Sequence, residues 1–166
     1  MALIPFSIVD TAGNSAIPTR TFQVASGTTA SIIPGTPVVL TTIGTSVNAA
    51  LAADGTPVIG TDWFVGFAKS TSTETTSVAG TVDVYMPLPG VIYRGTAKSA
   101  TAANTAAKIL ALANKRSVFD LTTAVWTLDT AAADGSTNGL MYTGTGDPTY
   151  NVLDFVVSTR CTPVSF

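Results

Sequence analysis

The amino-acid sequence predicts an all-β fold, either a small β-barrel or a sandwich of about ten short strands with at most one short helix. Short runs rich in Val, Ile, Phe and Thr recur along the chain, separated by Gly, Pro and Asp-Gly turn residues. Hydrophobic residues make up 46% of the chain and charged residues only 11%, whereas a typical soluble domain has about 25% charged residues. Serine and threonine must therefore cover much of the surface.

The strand predictions rest on the alternation of apolar and polar residues. Residues 81–86 (TVDVYM) are the clearest half-buried strand, because valine and methionine alternate there with Thr, Asp and Tyr. The segment Trp63–Ala68 (WFVGFA) is apolar throughout, and Gly66 in its middle indicates a β-bulge or a close approach of two backbones. Further strands are predicted over residues 21–24, 36–43, 90–94, 118–121, 123–129, 140–143, 151–159 and 161–166.

The dipeptide Asp54-Gly55 predicts a hairpin turn. Asp-Gly is favoured in two-residue hairpin loops, which require a positive φ. The segments on either side, residues 47–53 and 56–59, would then pair with each other.

Residues 101–114 are the one segment with helical character. The segment is rich in alanine, which favours helix, and Thr101 is a candidate N-cap. Ile109 and Leu112 would face the core. Residues 108–113 also alternate as a strand does, so the sequence leaves helix and strand both open.

The first 20 residues differ in character from residues 21–166, which we expect to form a single β domain. They combine turn residues with a cluster of apolar ones. We expect this segment to be an arm that docks onto its own domain or onto a neighbouring subunit, an ordinary first strand being the alternative. The candidate interaction residues of the arm are Leu3, Ile4, Phe6 and Ile8.

The side chains available for catalysis are few. The chain has no histidine, one cysteine (Cys161) and one glutamate, which excludes a Ser-His-Asp triad and, within one chain, a structural zinc site. Asp129, Asp134 and Asp147 lie near one another in sequence, but their spacing matches no calcium loop. We therefore expect that the protein is not an enzyme and that it holds no cofactor or metal.

Charge and hydropathy exclude two classes of partner. The net charge is −2, the pI is near 4.7 and the basic residues are scattered, whereas binding to nucleic acid requires clustered Lys and Arg. No apolar run approaches the roughly 18 residues of a membrane span. The N-terminus has no basic residue ahead of its apolar stretch, so it does not resemble a secretory signal and we expect synthesis in the cytoplasm.

The aromatic residues have two interpretations. They could form a platform on which sugars stack, or they could fill the core. Their position within predicted strands favours the core. The residues concerned are Trp63, Phe64, Phe67, Tyr85, Tyr93 and Trp126.

Three short motifs, in order, resemble the decoration or cement proteins of tailed-bacteriophage heads. They are residues 34–40 (PGTPVVL), 65–68 (VGFA) and 80–91 (GTVDVYMPLPGV). In that family a "pG.pV" strand is followed by a "Gva" segment and then by a "G..v.v...GV" strand and turn. The resemblance covers residues 34–98 best, and the last third of the chain only in its strand-and-turn character.

The resemblance implies a tulip-like β-barrel that assembles as a homotrimer on the exterior of the virion capsid. Such a protein binds the major capsid protein and stabilises the contacts between its subunits, and it needs no catalytic residue. Two alternatives stay open: a carbohydrate- or receptor-binding β-module of a virion, and a tail-tube or tail-tip subunit.

Overall fold

The computed structural model describes residues 6–13, 16–27, 32–43, 46–59, 61–122, 125–131, 137–158 and 160. Within these ranges the chain forms twelve strands and one short helix, which confirms the all-β prediction. In chain order the elements are β1 (Ser7–Asp10), β2 (Thr19–Val24), β3 (Pro37–Ile43), β4 (Ser46–Leu51), β5 (Trp63–Ala68), β6 (Gly80–Tyr85), β7 (Ile92–Thr96), α1 (Ala106–Ala111), β8 (Arg116–Ser117), β9 (Phe119–Thr122), β10 (Val125–Leu128), β11 (Leu140–Asp147) and β12 (Val152–Val157).

The strands form two five-stranded sheets and a separate hairpin. Sheet I has the order β1-β7-β12-β11-β8, sheet II has the order β2-β6-β5-β3-β4, and β9 pairs with β10. All these pairs are antiparallel. In the described part of the chain neither sheet closes on itself by hydrogen bonds. Of the two predicted architectures, the sandwich therefore fits the structure.

Sheet II bends strongly around a core of its own. In a flat sheet the edge strands β2 and β4 would lie about 19 Å apart, at about 4.8 Å per strand, yet their Cα atoms approach within 8 Å. The concave side holds mostly valine and alanine side chains from all five strands, together with Phe22 on β2 and Ile32 from the connection between β2 and β3. These buried residues are Phe22, Val24, Ile32, Val38, Ala49, Val65, Ala68, Val82 and Val84.

A second, aromatic core lies between the outer face of sheet II and sheet I. The hairpin of β9 and β10 and the helix α1 also contribute to it, through Phe119, Leu128 and Ile109. Phe67 stands at its centre. The ring centroid of Phe67 lies 4.9–6.3 Å from those of Phe6, Phe64, Tyr93, Phe119 and Phe155, the range of favourable aromatic pairs.

Gly66 interrupts β5 with a β-bulge, where the register between β3 and β5 shifts. Phe64 and Phe67, three residues apart, both enter the aromatic core, whereas a regular strand would place them on opposite faces. No other residue fits at position 66, because a Cβ there would lie 1.8 Å from the carbonyl oxygen of Tyr85 and φ is +135°. Both interpretations of Gly66, the bulge and the close approach, are confirmed.

Within residues 101–114 the helical alternative is confirmed over Ala106–Ala111, but its predicted cap is wrong. The helix α1 begins after Thr105, whose hydroxyl accepts a hydrogen bond from the backbone N–H of Lys108 at 3.3 Å. Thr101 lies a turn earlier, and its carbonyl accepts from the Lys108 ammonium at 2.9 Å. Ile109 is buried and Leu112 packs against the aromatic core, as expected.

The hairpin predicted at Asp54-Gly55 is wrong. The turn exists, but β4 pairs with β3, and the chain after the turn bonds to more distant segments. The N–H of Gly55 donates to the Phe119 carbonyl at 2.9 Å, and the N–H of Phe119 donates to the Thr56 carbonyl at 2.6 Å. A turn dipeptide specifies local geometry but not which strand lies beside the outgoing chain.

The strand predicted over 161–166 lies outside the described residues.

Replacing Gly66 with alanine should destabilise the protein by at least about 3 kcal/mol, because the new Cβ would overlap a backbone carbonyl that cannot move aside. Gly55→Ala is the matched control: its φ is also positive but the space around it is open, so we expect a loss of about 1–2 kcal/mol. Urea unfolding monitored by circular dichroism measures both. Equal losses in the two variants would show that the bulge is not required.

Candidate functional site

The three motif segments form one contiguous part of sheet II. They supply β3, β5 and β6, which are neighbours in the sheet. The N–H of Gly35 donates to the Ala68 carbonyl at 2.8 Å, and the N–H of Ala68 donates to the Thr36 carbonyl at 2.9 Å. Phe67 lies directly opposite Tyr85 in the ladder between β5 and β6. Segments far apart in sequence therefore build a single structural unit.

The described part of the N-terminal arm docks onto its own domain. Phe6 is buried, and its ring centroid lies 5.2 Å from that of Phe67 and 5.0 Å from that of Phe119. Gly95 makes room for this ring, since a Cβ there would lie 2.3 Å from the Phe6 Cε1 atom. Ile8 packs against the aromatic core and lies opposite Tyr93 on β7. Leu3 and Ile4 lie outside the described residues.

The arm and the motif unit enclose a cleft of about 400 Å³, which we call the arm cleft. Its walls are apolar and aromatic, and the ammonium of Lys69 lies at its rim, 5.7 Å from the centroid of the Tyr85 ring. The lining residues are Phe6, Ser7, Ile8, Pro34, Gly35, Phe67, Ala68, Lys69, Tyr85 and Tyr93. An apolar cleft with few polar groups is the usual form of a binding site.

Strand β1 forms one edge of sheet I, and in the described part of the chain only β7 pairs with it. Val9 on this strand is 46% exposed. An edge strand offers backbone N–H and C=O groups to another chain. The arm therefore places an apolar side chain and a strand edge on the surface beside the cleft.

The outer face of sheet I holds a buried ion pair. Asp154 on β12 accepts two hydrogen bonds from Arg94 on β7, at 2.6 and 3.0 Å, and a third from the Thr145 hydroxyl at 2.9 Å. Leu153 and Phe155 enter the aromatic core, and Asp154 between them lies on the opposite side of β12. Because the carboxylate is fully engaged in these bonds, it is a structural group.

The two described aspartates considered for calcium, Asp129 and Asp147, each have a partner of their own. Asp129 lies 4.0 Å from the ammonium of Lys98, which also binds Asp120 at 2.5 Å. Asp147 accepts a hydrogen bond from the N–H of Thr149 in a turn, and Asp134 lies outside the described residues. The described ranges contain no group of three or more acidic, His or Cys side chains able to hold a metal ion. None of the described helices is long and apolar enough to cross a membrane.

The aromatic residues divide between core and surface. Phe64, Phe67 and Tyr93 are buried, and Trp126 packs against the aromatic core. Trp63, in contrast, is 56% exposed. The sequence WFVGFA contains no polar residue to mark its outer positions. Only the polar Thr61 and Asp62 just before the strand indicate that its first residue reaches the surface.

Comparison of the chain with protein-family models, with curated protein sequences and with solved structures finds no match. The arm cleft and the exposed surfaces must therefore be interpreted from their own chemistry.

Phe6→Ala should lower the free energy of unfolding by about 3–5 kcal/mol. Gly95→Ala should cost about 1–3 kcal/mol in the natural chain, because its methyl group displaces the Phe6 ring. In the Phe6→Ala background the same Gly95→Ala change should cost almost nothing. Urea unfolding of the four proteins gives this double-mutant cycle. Additive costs would mean that Phe6 does not occupy the space above Gly95.

Tyr93→Phe should leave stability at pH 7 unchanged or slightly raised, because among the described residues the buried Tyr93 hydroxyl has no hydrogen-bond partner. Burial raises the pKa of Tyr93 above its ordinary value. As the pH rises, the unfolded chain therefore releases the Tyr93 proton before the folded chain does. Above pH 10 this lowers the free energy of unfolding by about 1.4 kcal/mol per pH unit. The Tyr93→Phe variant should lack this part of the pH dependence. Unfolding measured between pH 8 and 11 tests this, and an unchanged slope would contradict it.

Proposed function

We propose that the chain is a structural virion protein, a decoration or cement protein of a tailed-phage head. In this proposal it binds the exterior of the capsid as a homotrimer and stabilises contacts between major capsid protein subunits. The observation that carries the proposal is the contiguity of the three family-like motifs. Residues 34–40, 65–68 and 80–91 lie side by side as β3, β5 and β6, and the bulge at Gly66 packs on the third segment.

The arm supports the proposal in a second way. Phe6 fixes the arm on the domain, so that the four residues following it form an exposed strand edge beside the motif unit. Val9 and the arm cleft supply apolar surface for a partner. The arm is therefore the part of the chain that we assign to contact with the capsid or with a neighbouring copy.

The distribution of charge is compatible with a binding role of this kind. Removing charged groups from water is costly, and only 11% of the residues are charged. Of these, Arg94, Asp154, Lys98 and Asp120 are already paired within the domain. A surface of hydroxyl and apolar groups loses little solvation energy on contact with another protein. Contacts repeated over a shell of identical subunits would add avidity to a modest affinity.

The direct test is co-sedimentation of the purified chain with expanded, undecorated heads of the phage that encodes it. We expect saturable binding at a fixed ratio to the major capsid protein, and decorated heads that survive heat or low salt better than bare heads. Sedimentation equilibrium of the free protein tests the trimer. No binding at a large excess of protein over heads would overturn the proposal.

Deleting residues 2–5, which include Leu3 and Ile4, should weaken attachment to heads by at least about tenfold, measured on protein whose fold is verified by circular dichroism. All contacts of Phe6 and β1 described above are kept in this variant. Val9→Asp should also weaken attachment, because it places a charge on the exposed strand edge. Leu110→Asp is the matched control, since Leu110 is also exposed to water, at 68%, but lies on α1. Undiminished attachment of both arm variants would exclude the arm as the contact.

A further inference from the structure

Trp63 is the largest apolar side chain that the described part of the chain leaves exposed. It is the first residue of β5 and is 56% exposed, whereas Trp126 packs edge-on against Phe119 with ring centroids 6.3 Å apart. Tryptophan is highly buried on average, because its indole presents a large apolar surface. An indole that remains in water at the end of a strand is therefore a candidate recognition group.

A shallow groove of about 280 Å³ runs beside the indole, and we call it the Trp63 groove. Its floor is the sheet itself, since Leu40 on β3 lies directly opposite Trp63. Val47, 54% exposed, forms part of its apolar wall. The groove is lined by Val39, Leu40, Thr41, Val47, Thr61, Asp62 and Trp63. Its volume is just below the range of about 300–1,000 Å³ typical of small-molecule sites.

The carboxylate of Asp62 is held in a fixed orientation within this groove. The Oδ2 atom of Asp62 accepts a hydrogen bond from the N–H of Val58 at 2.8 Å, and the backbone N–H of Asp62 donates to the Val58 carbonyl at 3.0 Å. The same loop is tied to the segment that precedes β11, because the N–H of Ile59 donates to the carbonyl of Thr137 at 2.7 Å. A polar group that is fixed before a ligand arrives binds that ligand with a smaller loss of entropy.

From these observations we propose that the Trp63 groove binds a carbohydrate. A pyranose ring has C–H groups on one face, which suit the indole, and hydroxyls around its rim. The rim hydroxyls would donate to the carboxylate of Asp62 and bond to the hydroxyls of Thr41 and Thr61. This pairing of one apolar face with a few convergent polar groups is what such a ligand requires.

The chemistry of the groove disfavours other ligands. The residues that line it include one carboxylate and no cation, so a phosphate or another anion would be repelled. A lipid chain would cover the Asp62 carboxylate without offering it any hydrogen bond beyond the one from Val58, which is costly. A stable protein partner would need about 800 Å² on this side, far more than the surface of one tryptophan and one valine. A neutral sugar satisfies both the indole and the carboxylate.

The test is a titration of the full chain with four oligosaccharides: cellohexaose, maltohexaose, chitohexaose and mannohexaose. Tryptophan fluorescence and isothermal calorimetry would be recorded up to about 10 mM sugar, since a single stacked ring gives weak affinity. We expect at least one sugar to change the emission saturably, with matching heat. Binding by none of the four would overturn the proposal.

Three variants locate the binding. Trp63→Ala should weaken it by at least about tenfold, and Asp62→Asn by several-fold, because the amide keeps the bond to Val58 but accepts more weakly from a sugar. Tyr150→Ala is the matched control, since Tyr150 is also exposed, at 52%, but lies in the turn before β12. Circular dichroism confirms that each variant is folded. Binding that survives in Trp63→Ala would place the sugar elsewhere and overturn the proposal.

A second copy of the chain is the competing occupant of the groove. In that case the emission of Trp63 would change with protein concentration in the absence of sugar, and Trp63→Ala would alter the sedimentation coefficient of the free protein. Either result, together with no response to the four sugars, would show that the Trp63 groove contacts a second copy of the chain and does not bind a carbohydrate. The outcome does not depend on attachment to phage heads, so this proposal and the proposed function fail or succeed separately.

Discussion

The contact between Gly66 and the carbonyl of Tyr85 is the constraint on which the rest of the structure depends. A strand with regular alternation can contribute to two cores only by sending every second side chain to each. The bulge interrupts this alternation. Phe64 and Phe67 both enter the aromatic core, and Val65 and Ala68 both enter the concave core of sheet II. Bulges also increase local twist, which is consistent with the strong bend that brings β2 and β4 together. One glycine therefore sets which side chains of β5 enter each core.

The position of the arm follows from the same feature. Phe67, turned by the bulge into the aromatic core, is a direct neighbour of Phe6, which in turn lies above Gly95 on sheet I. The arm is thus held by a ring cluster that joins both sheets. This explains why a segment with turn-rich sequence has a defined place on the domain: a single aromatic anchor supplies the burial that its short strand lacks. The exposed edge of β1 is then presented in a fixed orientation, which a flexible tail could not provide.

The sequence predicts those features whose cause is local. Alternation identifies β6, and an apolar run with a central glycine identifies β5 and its bulge, because pleat and φ preference act residue by residue. The hairpin at Asp54-Gly55 fails because the choice of partner strand is decided by distant groups, here the backbone of Phe119. The exposure of Trp63 has only a weak signal in the sequence, the polar Thr61 and Asp62 before it, since it depends on where the neighbouring strands end. The cap of α1 moves from Thr101 to Thr105 because these two threonines of the segment are equivalent by composition alone.

The scarcity of charge has a structural consequence that bears on both proposals. The few carboxylates that the fold buries are engaged with cations. Asp154 pairs with Arg94 on the adjacent strand of sheet I, and Asp120 on the hairpin pairs with Lys98 just after β7, so the second pair joins the hairpin to sheet I. The groups left for recognition are then hydroxyls, single aromatic rings and an isolated carboxylate such as Asp62. Contacts of this kind are individually weak and become effective when many copies act together. A domain of this composition is suited to repeated display, where one particle carries many identical weak sites, and less suited to tight binding by a single copy.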